Sequence, residues 1–356
     1  MSRFFSNKYA NLEAYTPGEQ PVDKKYIKLN TNESPYPPSE NVLKAAELEA
    51  GKLNLYSDPE SSLLTQKVAA HYGVDFENVL MTNGSDEILD FAFMAFCDEA
   101  HPIVFPDITY GFYPVFAQRN HIPFEEIPLE EDFSIDSKKY CGIHKNIVIA
   151  NPNAPTGILM SLSEIEEIVK SNPDNVVIID EAYIDFSSDH PTQNSAVNLI
   201  GKYENLLVTM TFSKSRSLAG ARLGFGIADK KLIHDLKTLK YSTNPYNVNR
   251  MTGAAGMAAI DNNAYYADNC KRIIEIRAYV KEKLEALGFT VLPSAANFLF
   301  IKSDKISGEE LYLRLKENGI LIRHFSKERI REYNRVTIGT RDEMEAFLAA
   351  VSSLIC

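Results

Sequence analysis

Short continuous apolar runs recur between residues 79 and 227: Val79–Thr82, Ile103–Phe105, Ile147–Ala150, Val176–Ile179, Leu206–Phe212 and Leu223–Ile227. Runs of this length, ending in turn residues, read as strands of a parallel sheet covered on both faces. Helical spacing fills the gaps at Ser85–Cys97, Tyr110–Arg119 and Leu162–Lys170. The first of these is apolar nearly all round and should be buried. The third carries a capping box, Ser161 with Glu164. Ahead of the first strand, helices are predicted at Asn41–Ala50 and at Leu63–Tyr72, the latter stopped by Gly73. Beyond Asp229 the pattern is mostly helical, with Lys231–Lys240, Asn249–Ile260 and Tyr265–Leu287. A smaller α+β pattern closes the chain: strands at Phe298–Ile301 and Val336–Ile338, helices at Gly308–Asn318 and Arg341–Leu354.

Strands alternating with helices predict an α/β fold. The segment 1–38, rich in Pro, Asn and Tyr, reads as an extended arm. Residues 39–264 form a large domain, and residues 265–356, with part of the arm, a small one. The length of 356 residues suits such a division.

Composition narrows the function classes. A net charge of -11 speaks against nucleic-acid binding. The four cysteines, Cys97, Cys141, Cys270 and Cys356, form no CxxC pair, and no His cluster joins them, so the expectation is a reduced, cytoplasmic chain without a metal site. His71, His101 and His234 have no metal-ligand spacing and read as packing or surface residues. The first residues lack a long apolar region, and no run approaches a membrane span. The Glu-rich run Glu125–Glu131 reads as a solvated face.

Candidate chemistry falls at the strand ends, where open α/β sheets bind ligands. After Leu206–Phe212 comes Lys214, in the small-residue loop SKSRSLAGAR. Part-burial favours a neutral amine that can attack a carbonyl, and Ser213 and Arg222 are groups that bind phosphate. With Arg216 also cationic, the plain alternative is a solvated basic loop. After Val79–Thr82 comes Asn83-Gly84-Ser85-Asp86-Glu87, which opens a helix and offers free amides to an anion; an ordinary N-cap is the alternative. Asn151-Pro152-Asn153-Ala154-Pro155-Thr156-Gly157 is a rigid loop that can present an amide, or a tight turn. Asp180-Glu181-Ala182-Tyr183 sets a carboxylate where a protonated pyridine nitrogen would suit it, or where a helix cap or buried ion pair would serve. A phosphorylated aromatic aldehyde, pyridoxal phosphate (PLP), would use all four stretches. No GxGxxG marks a dinucleotide site.

With these motifs in order, together with NESPYPP, YSDP and RVTIGT, nearly the whole chain resembles the fold-type I PLP-dependent aminotransferases, and among them the histidinol-phosphate branch. The resemblance implies a large domain built on a mostly parallel seven-stranded sheet sandwiched by helices. It implies that Lys214 bonds the cofactor, that Asp180 pairs with the ring nitrogen and that Tyr183 faces the ring's phenolic oxygen. Tyr110 would stack on the ring. Gly84, Ser85 and Asp86 would hold the phosphate with Ser213 and Arg222. Tyr56 would reach that phosphate from the neighbouring subunit of a homodimer. In the family an Asn often directly precedes Pro-Thr-Gly; here Ala154 stands there, and Asn153, one step earlier, is the candidate amide. Tyr15, Asn32, Arg323 and Arg335 are the expected substrate contacts.

The activity so implied is amino-group transfer between histidinol phosphate or its keto counterpart and glutamate or 2-oxoglutarate, in histidine biosynthesis. Transfer from an aromatic amino acid and decarboxylation of threonine phosphate are alternatives on the same fold. A PLP-binding regulatory module is a further one, although no basic helical segment for DNA is present.

Overall fold

A computed structural model describes residues 2–355; Cys356, one of the cysteines read as reduced, lies outside the described residues. The strands are β1 (Ile27–Lys28), β2 (Val79–Thr82), β3 (Ile103–Pro106), β4 (Phe124–Ile127), β5 (Asn146–Ala150), β6 (Val177–Asp180), β7 (Leu206–Thr211), β8 (Gly224–Ala228), β9 (Phe289–Val291), β10 (Phe298–Ser303), β11 (Ile320–Leu321), β12 (Arg323–His324) and β13 (Asn334–Thr337). The helices are α1 (Glu40–Ala50), α2 (Ser62–Tyr72), α3 (Ser85–Phe96), α4 (Tyr113–Arg119), α5 (Leu162–Ser171), α6 (Lys230–Thr243), α7 (Arg250–Asp261), α8 (Asn263–Ala286), α9 (Gly308–Glu317) and α10 (Arg341–Ile355).

The large sheet has seven strands in the order β2-β8-β7-β6-β5-β3-β4. Neighbours are parallel from β7 across to β4, and β8 runs antiparallel to both β2 and β7. The apolar runs explain the two-sided burial. Ile147, Ile149, Val177, Ile179, Leu206 and Val208 face one layer with Ile165 and Ile168 of α5. Val148, Ile178 and Leu207, one residue out of phase, face the other with Leu89 and Phe93 of α3 and Leu236 of α6. This is the period-two alternation of strands, with an apolar residue required at every step.

Short strands with polar or single-sided patterns escape such reading. β4 overlaps the start of the segment read as a solvated Glu face: Phe124 to Glu126 are exposed, yet they form an edge strand paired with β3. The predicted helix from Tyr110 begins at Tyr113 instead, with Pro114 in its first turn, which is where a missing N–H costs nothing. Tyr110 therefore sits in the turn before the helix, its carbonyl accepting from the Tyr113 N–H at 3.2 Å. The predicted capping box at Ser161 and Glu164 is formed.

A four-stranded sheet, β12-β13-β10-β9, is antiparallel throughout. The arm joins this region. β1 pairs parallel with β11, the Leu29 N–H donates to the Leu321 carbonyl at 2.8 Å, and the Thr337 N–H donates to the Leu29 carbonyl at 2.9 Å. Leu29 is buried in one apolar cluster with Ile273 and Val280 of α8, Leu299 and Ile301 of β10, and Phe347 of α10.

The C-terminal ends of β5, β6 and β7 open at one edge of the large sheet. Because β8 is reversed, its start lies there too, close to the start of α3. A Cβ on Gly224 would stand 2.4 Å from the Ser85 backbone N. Only glycine lets the helix start approach the strand this closely.

Candidate active site

One cleft lies at this edge, and eight of the expected residues line it. Ser85 and Asp86 come from the start of α3, Tyr110 from the turn before α4, and Asp180 and Tyr183 from the end of β6. Ser213, Lys214 and Arg222 come from the β7–β8 connection. Three alanines, Ala150, Ala154 and Ala182, and Thr211 complete the wall, and the alanine methyl groups leave room for a flat ring.

Lys214 is half-buried. Its Nζ donates to the Thr31 carbonyl at 3.4 Å and lies 5.9 Å from the centre of the Tyr183 ring. Asp180 is 5% exposed. Its Oδ2 accepts from the Tyr113 hydroxyl at 3.0 Å, whereas its Oδ1 is buried with no partner. Burial, reinforced by the charge of Asp86, pushes the Asp180 carboxyl up to about 6. An unpaired carboxylate oxygen at the wall of a cleft is costly unless a donor, preferably cationic, arrives from the cleft side.

The anion end is assembled from three elements. Gly84, at φ +78°, is the N-cap of α3, so the first amides of that helix point outward with the positive end of the helix dipole. A Cβ on Gly84 would meet Arg222 Nη2 at 2.6 Å. Arg222 donates to Ser213 Oγ at 3.4 Å and to Asp86 Oδ2 at 3.2 Å. Asp86 Oδ1 accepts from the Tyr110 hydroxyl at 2.7 Å. The Asp86 side chain is thus spent on orienting Arg222 and Tyr110, and its backbone is the part available to an anion.

Four expected residues stand differently. Asn153 does not line the cleft. Its Nδ2 donates to the Ile108 carbonyl at 3.0 Å and to Thr156 Oγ1 at 3.1 Å, and its Oδ1 accepts from Thr109 at 2.8 Å. The amide braces its own loop, and Ala154 faces the cleft in its place. Asn32 is buried behind the wall, where its Nδ2 donates to the Tyr183 hydroxyl at 2.9 Å and its Oδ1 accepts from Thr337 at 3.0 Å. It positions Tyr183. Arg323 spends its two Nη groups on the Pro17 and Thr16 carbonyls, at 3.1 and 3.0 Å, and so holds the arm beside Tyr15. Tyr56 is 79% exposed, stacked on Tyr246 with ring centres 4.5 Å apart, and does not line the cleft of its own chain.

Tyr15 packs on Phe112 at 4.3 Å and near Tyr110 at 6.3 Å. Arg335 donates to the Asn30 carbonyl at 3.0 Å and leaves its Nε buried without a partner. Its guanidinium lies 5.4 Å from the centre of the Phe298 ring, and it does not line the cleft.

Tyr113 was not singled out in the sequence, although its spacing of three from Tyr110 hinted at a shared face; its hydroxyl donates to the Asp180 carboxylate. Glu181 is turned away from the cleft. It accepts from Ser195 Oγ and the Ala196 N–H, both at 2.6 Å, and burial pushes it up to about 8.

Pyridoxal phosphate fits this donor set. The cleft offers an amine for the aldehyde, an unpartnered carboxylate oxygen for a ring N–H, and a helix start with a serine and an arginine for the phosphate. Among the described residues no group of His, Cys, Asp or Glu could hold a metal ion, and no helix is long and apolar enough to cross a membrane.

The model of the class I and II aminotransferase family matches residues 24–351, and the chain belongs to that family. It is 50% identical over 356 residues to a protein of Brachyspira hyodysenteriae named histidinol-phosphate aminotransferase, covering 100% of this chain and 99% of the relative. A protein of the same name from Acinetobacter baumannii is 46% identical over 350 residues, covering 97% and 95%. The fold is that of the histidinol-phosphate aminotransferase of Sinorhizobium meliloti solved in complex with pyridoxal-5'-phosphate: TM-score 0.85 at 24% identity, covering 93% of this chain and 91% of that one.

Proposed function

We propose that this aminotransferase acts on histidinol phosphate and its keto counterpart, with glutamate and 2-oxoglutarate as the other pair, and that pyridoxal phosphate occupies the cleft. The observation that carries the chemistry is the meeting of Lys214, the unpartnered Oδ1 of Asp180 and the Ser85–Ser213–Arg222 cradle on one cleft. The substrate follows from half of the residues being shared with a full-length relative of that name. Arg335, with an unused buried Nε, is the candidate partner for the substrate's phosphate or a carboxylate.

When bound, PLP supplies an aldehyde that takes up the amino group and a ring that draws electrons from the bond being broken. The chain supplies the rest. Ser85, Ser213 and Arg222 hold the phosphate and fix its register. Asp180 accepts the ring N–H at Oδ1 and stays ionised by doing so, since a cationic partner reverses the upward push of burial. Tyr183, held by Asn32, directs its hydroxyl into the cleft. Lys214, as a free neutral amine, would take the proton from the substrate carbon and deliver it to the cofactor's former aldehyde carbon, on the other side of the shared nitrogen. Tyr15, kept close by the arm's bonds to Arg323, covers the mouth.

We also propose a homodimer in which Tyr56 reaches the partner's phosphate seat. Its support is the succession of exposed apolar residues along one stretch of chain, Leu43, Leu48, Leu53, Leu55, Tyr56 and Leu63.

The test is a substrate panel. Purified protein with 2-oxoglutarate is given histidinol phosphate, aromatic amino acids or threonine phosphate, and glutamate and carbon dioxide are measured. Glutamate formation should be fastest with histidinol phosphate. Carbon dioxide release from threonine phosphate, or a preference for aromatic donors, would replace this substrate. Lys214→Ala should give no steady-state turnover.

A further inference from the structure

Lys214 is set by its neighbours more than by itself, since the hydrogen bond of its ammonium to the Thr31 carbonyl is long at 3.4 Å. The three residues after it are each tied to a different part of the molecule. Ser215 donates to Asp185, in the turn that follows β6. Ser217, at φ +55°, donates to Ser34 of the arm at 3.0 Å. Between them stands Arg216, which the sequence places in a basic loop and the structure buries to 6% exposure.

The Arg216 guanidinium lies 5.9 Å from the ring centres of both Phe212 and Tyr266. Its Nη1 donates to the Ala259 carbonyl of α7 at 3.3 Å. Its Nη2 donates to Asn263 Oδ1 of α8 at 2.9 Å and meets His71 Nε2 of α2 at 3.2 Å. Arginine has no acceptor, so this ring nitrogen must accept, which puts the imidazole proton on Nδ1. Burial and the neighbouring guanidinium both lower the His71 pKa and keep that nitrogen free.

All three partners are neutral. A buried cation without a carboxylate in its hydrogen-bond set is a poor way to gain stability. It is an effective way to fix direction, because the planar fork must satisfy acceptors on three helices at once. Resting on the reading of Lys214 as the residue that bonds PLP, we propose that Arg216 is a positioning residue: it fastens the lysine loop to α2, α7 and α8 and so sets where the Lys214 amine stands relative to Asp180 and Tyr183.

The experiment compares wild type with Arg216→Lys, which keeps the charge but lacks the fork, and with Arg216→Met. Backbone hydrogen exchange is measured on the cofactor-free protein. In Arg216→Lys the amides of 213–218 should exchange at least about tenfold faster, while β6 and β7 are unchanged. With PLP added, the pH midpoint of the Lys214-dependent visible absorbance should move. Turnover should fall on the order of 100-fold with a much smaller change in KM, as a misplaced reacting group predicts. If Arg216→Met does not fold, Arg216→Lys alone decides. Unchanged exchange at 213–218 together with an unchanged absorbance midpoint in a folded Arg216→Lys would overturn the proposal. If wild type gives no absorbance that Lys214→Ala removes, the PLP reading fails instead, and the exchange data still decide whether Arg216 fixes the loop.

Discussion

Asp180 shows how one residue can oppose stability and serve chemistry. Buried beside a second carboxylate, it binds a proton in the folded chain that the unfolded chain releases between about pH 4 and 6. The folded-state pKa lies above the unfolded one, so its contribution to the stability of the cofactor-free protein falls as pH rises through that window. Asp180→Asn should therefore stabilise the cofactor-free protein above about pH 6, by up to about 3 kcal/mol, and the gain should vanish below about pH 4. Urea midpoints at pH 4 and pH 8 measure this; equal differences at both would contradict it. With PLP present the same variant should lose turnover on the order of 100-fold, because the ring nitrogen loses its counter-charge. The sequence showed Asp180 plainly, as a carboxylate ending an apolar run. It did not show Tyr113, whose role depends on where α4 begins, nor the inward turn of Arg216. Asn153, read as the candidate amide, lies off the cleft because Thr109, Thr156 and the Ile108 carbonyl satisfy its amide within the loop.

Among the elements, β8 and α3 are coupled by absence of side chain. The Gly224→Ala methyl would meet backbone atoms of Gly84 and Ser85, at 2.5 and 2.4 Å, rather than a flexible side chain. The helix start must move away, so we expect about 1–3 kcal/mol of destabilisation, read in urea, and weaker PLP binding, read by titration. Stability and affinity both matching wild type would refute this close fit. Buried strands and several helices were legible because every residue of β5, β6 and β8 is buried and α5, α6, α7 and α9 carry side-chain N-caps. β1, β11 and β12 have only two residues each and are fixed by pairing partners far along the chain, a relation that no local pattern carries.

For the whole molecule, the arm is bound to the region of the four-stranded sheet as firmly as any strand. Besides β1, Glu19 accepts from Tyr312 and Lys316, and Asn30 donates to the Glu19 carbonyl at 2.8 Å. The Tyr56 loop is held with similar care from the other side, by Arg250 on the Tyr56 carbonyl at 3.1 Å and by buried Lys240 on the Pro59 carbonyl. If the exposed apolar residues along this stretch of chain form the dimer face, Leu53→Glu should shift sedimentation toward monomer and weaken PLP binding, whereas Tyr56→Phe should weaken PLP binding and leave the dimer intact. A Leu53→Glu protein that sediments and binds as wild type would remove that face from consideration. The reversal of β8 has a last consequence. Because β8 returns antiparallel to β7, Lys214, proposed to bond the aldehyde, and Ser213 and Arg222, proposed to hold the phosphate, hang from the one hairpin connection between them. Any insertion between them would change the span they offer to one rigid ligand, so this hairpin can be transplanted or redesigned only as a whole.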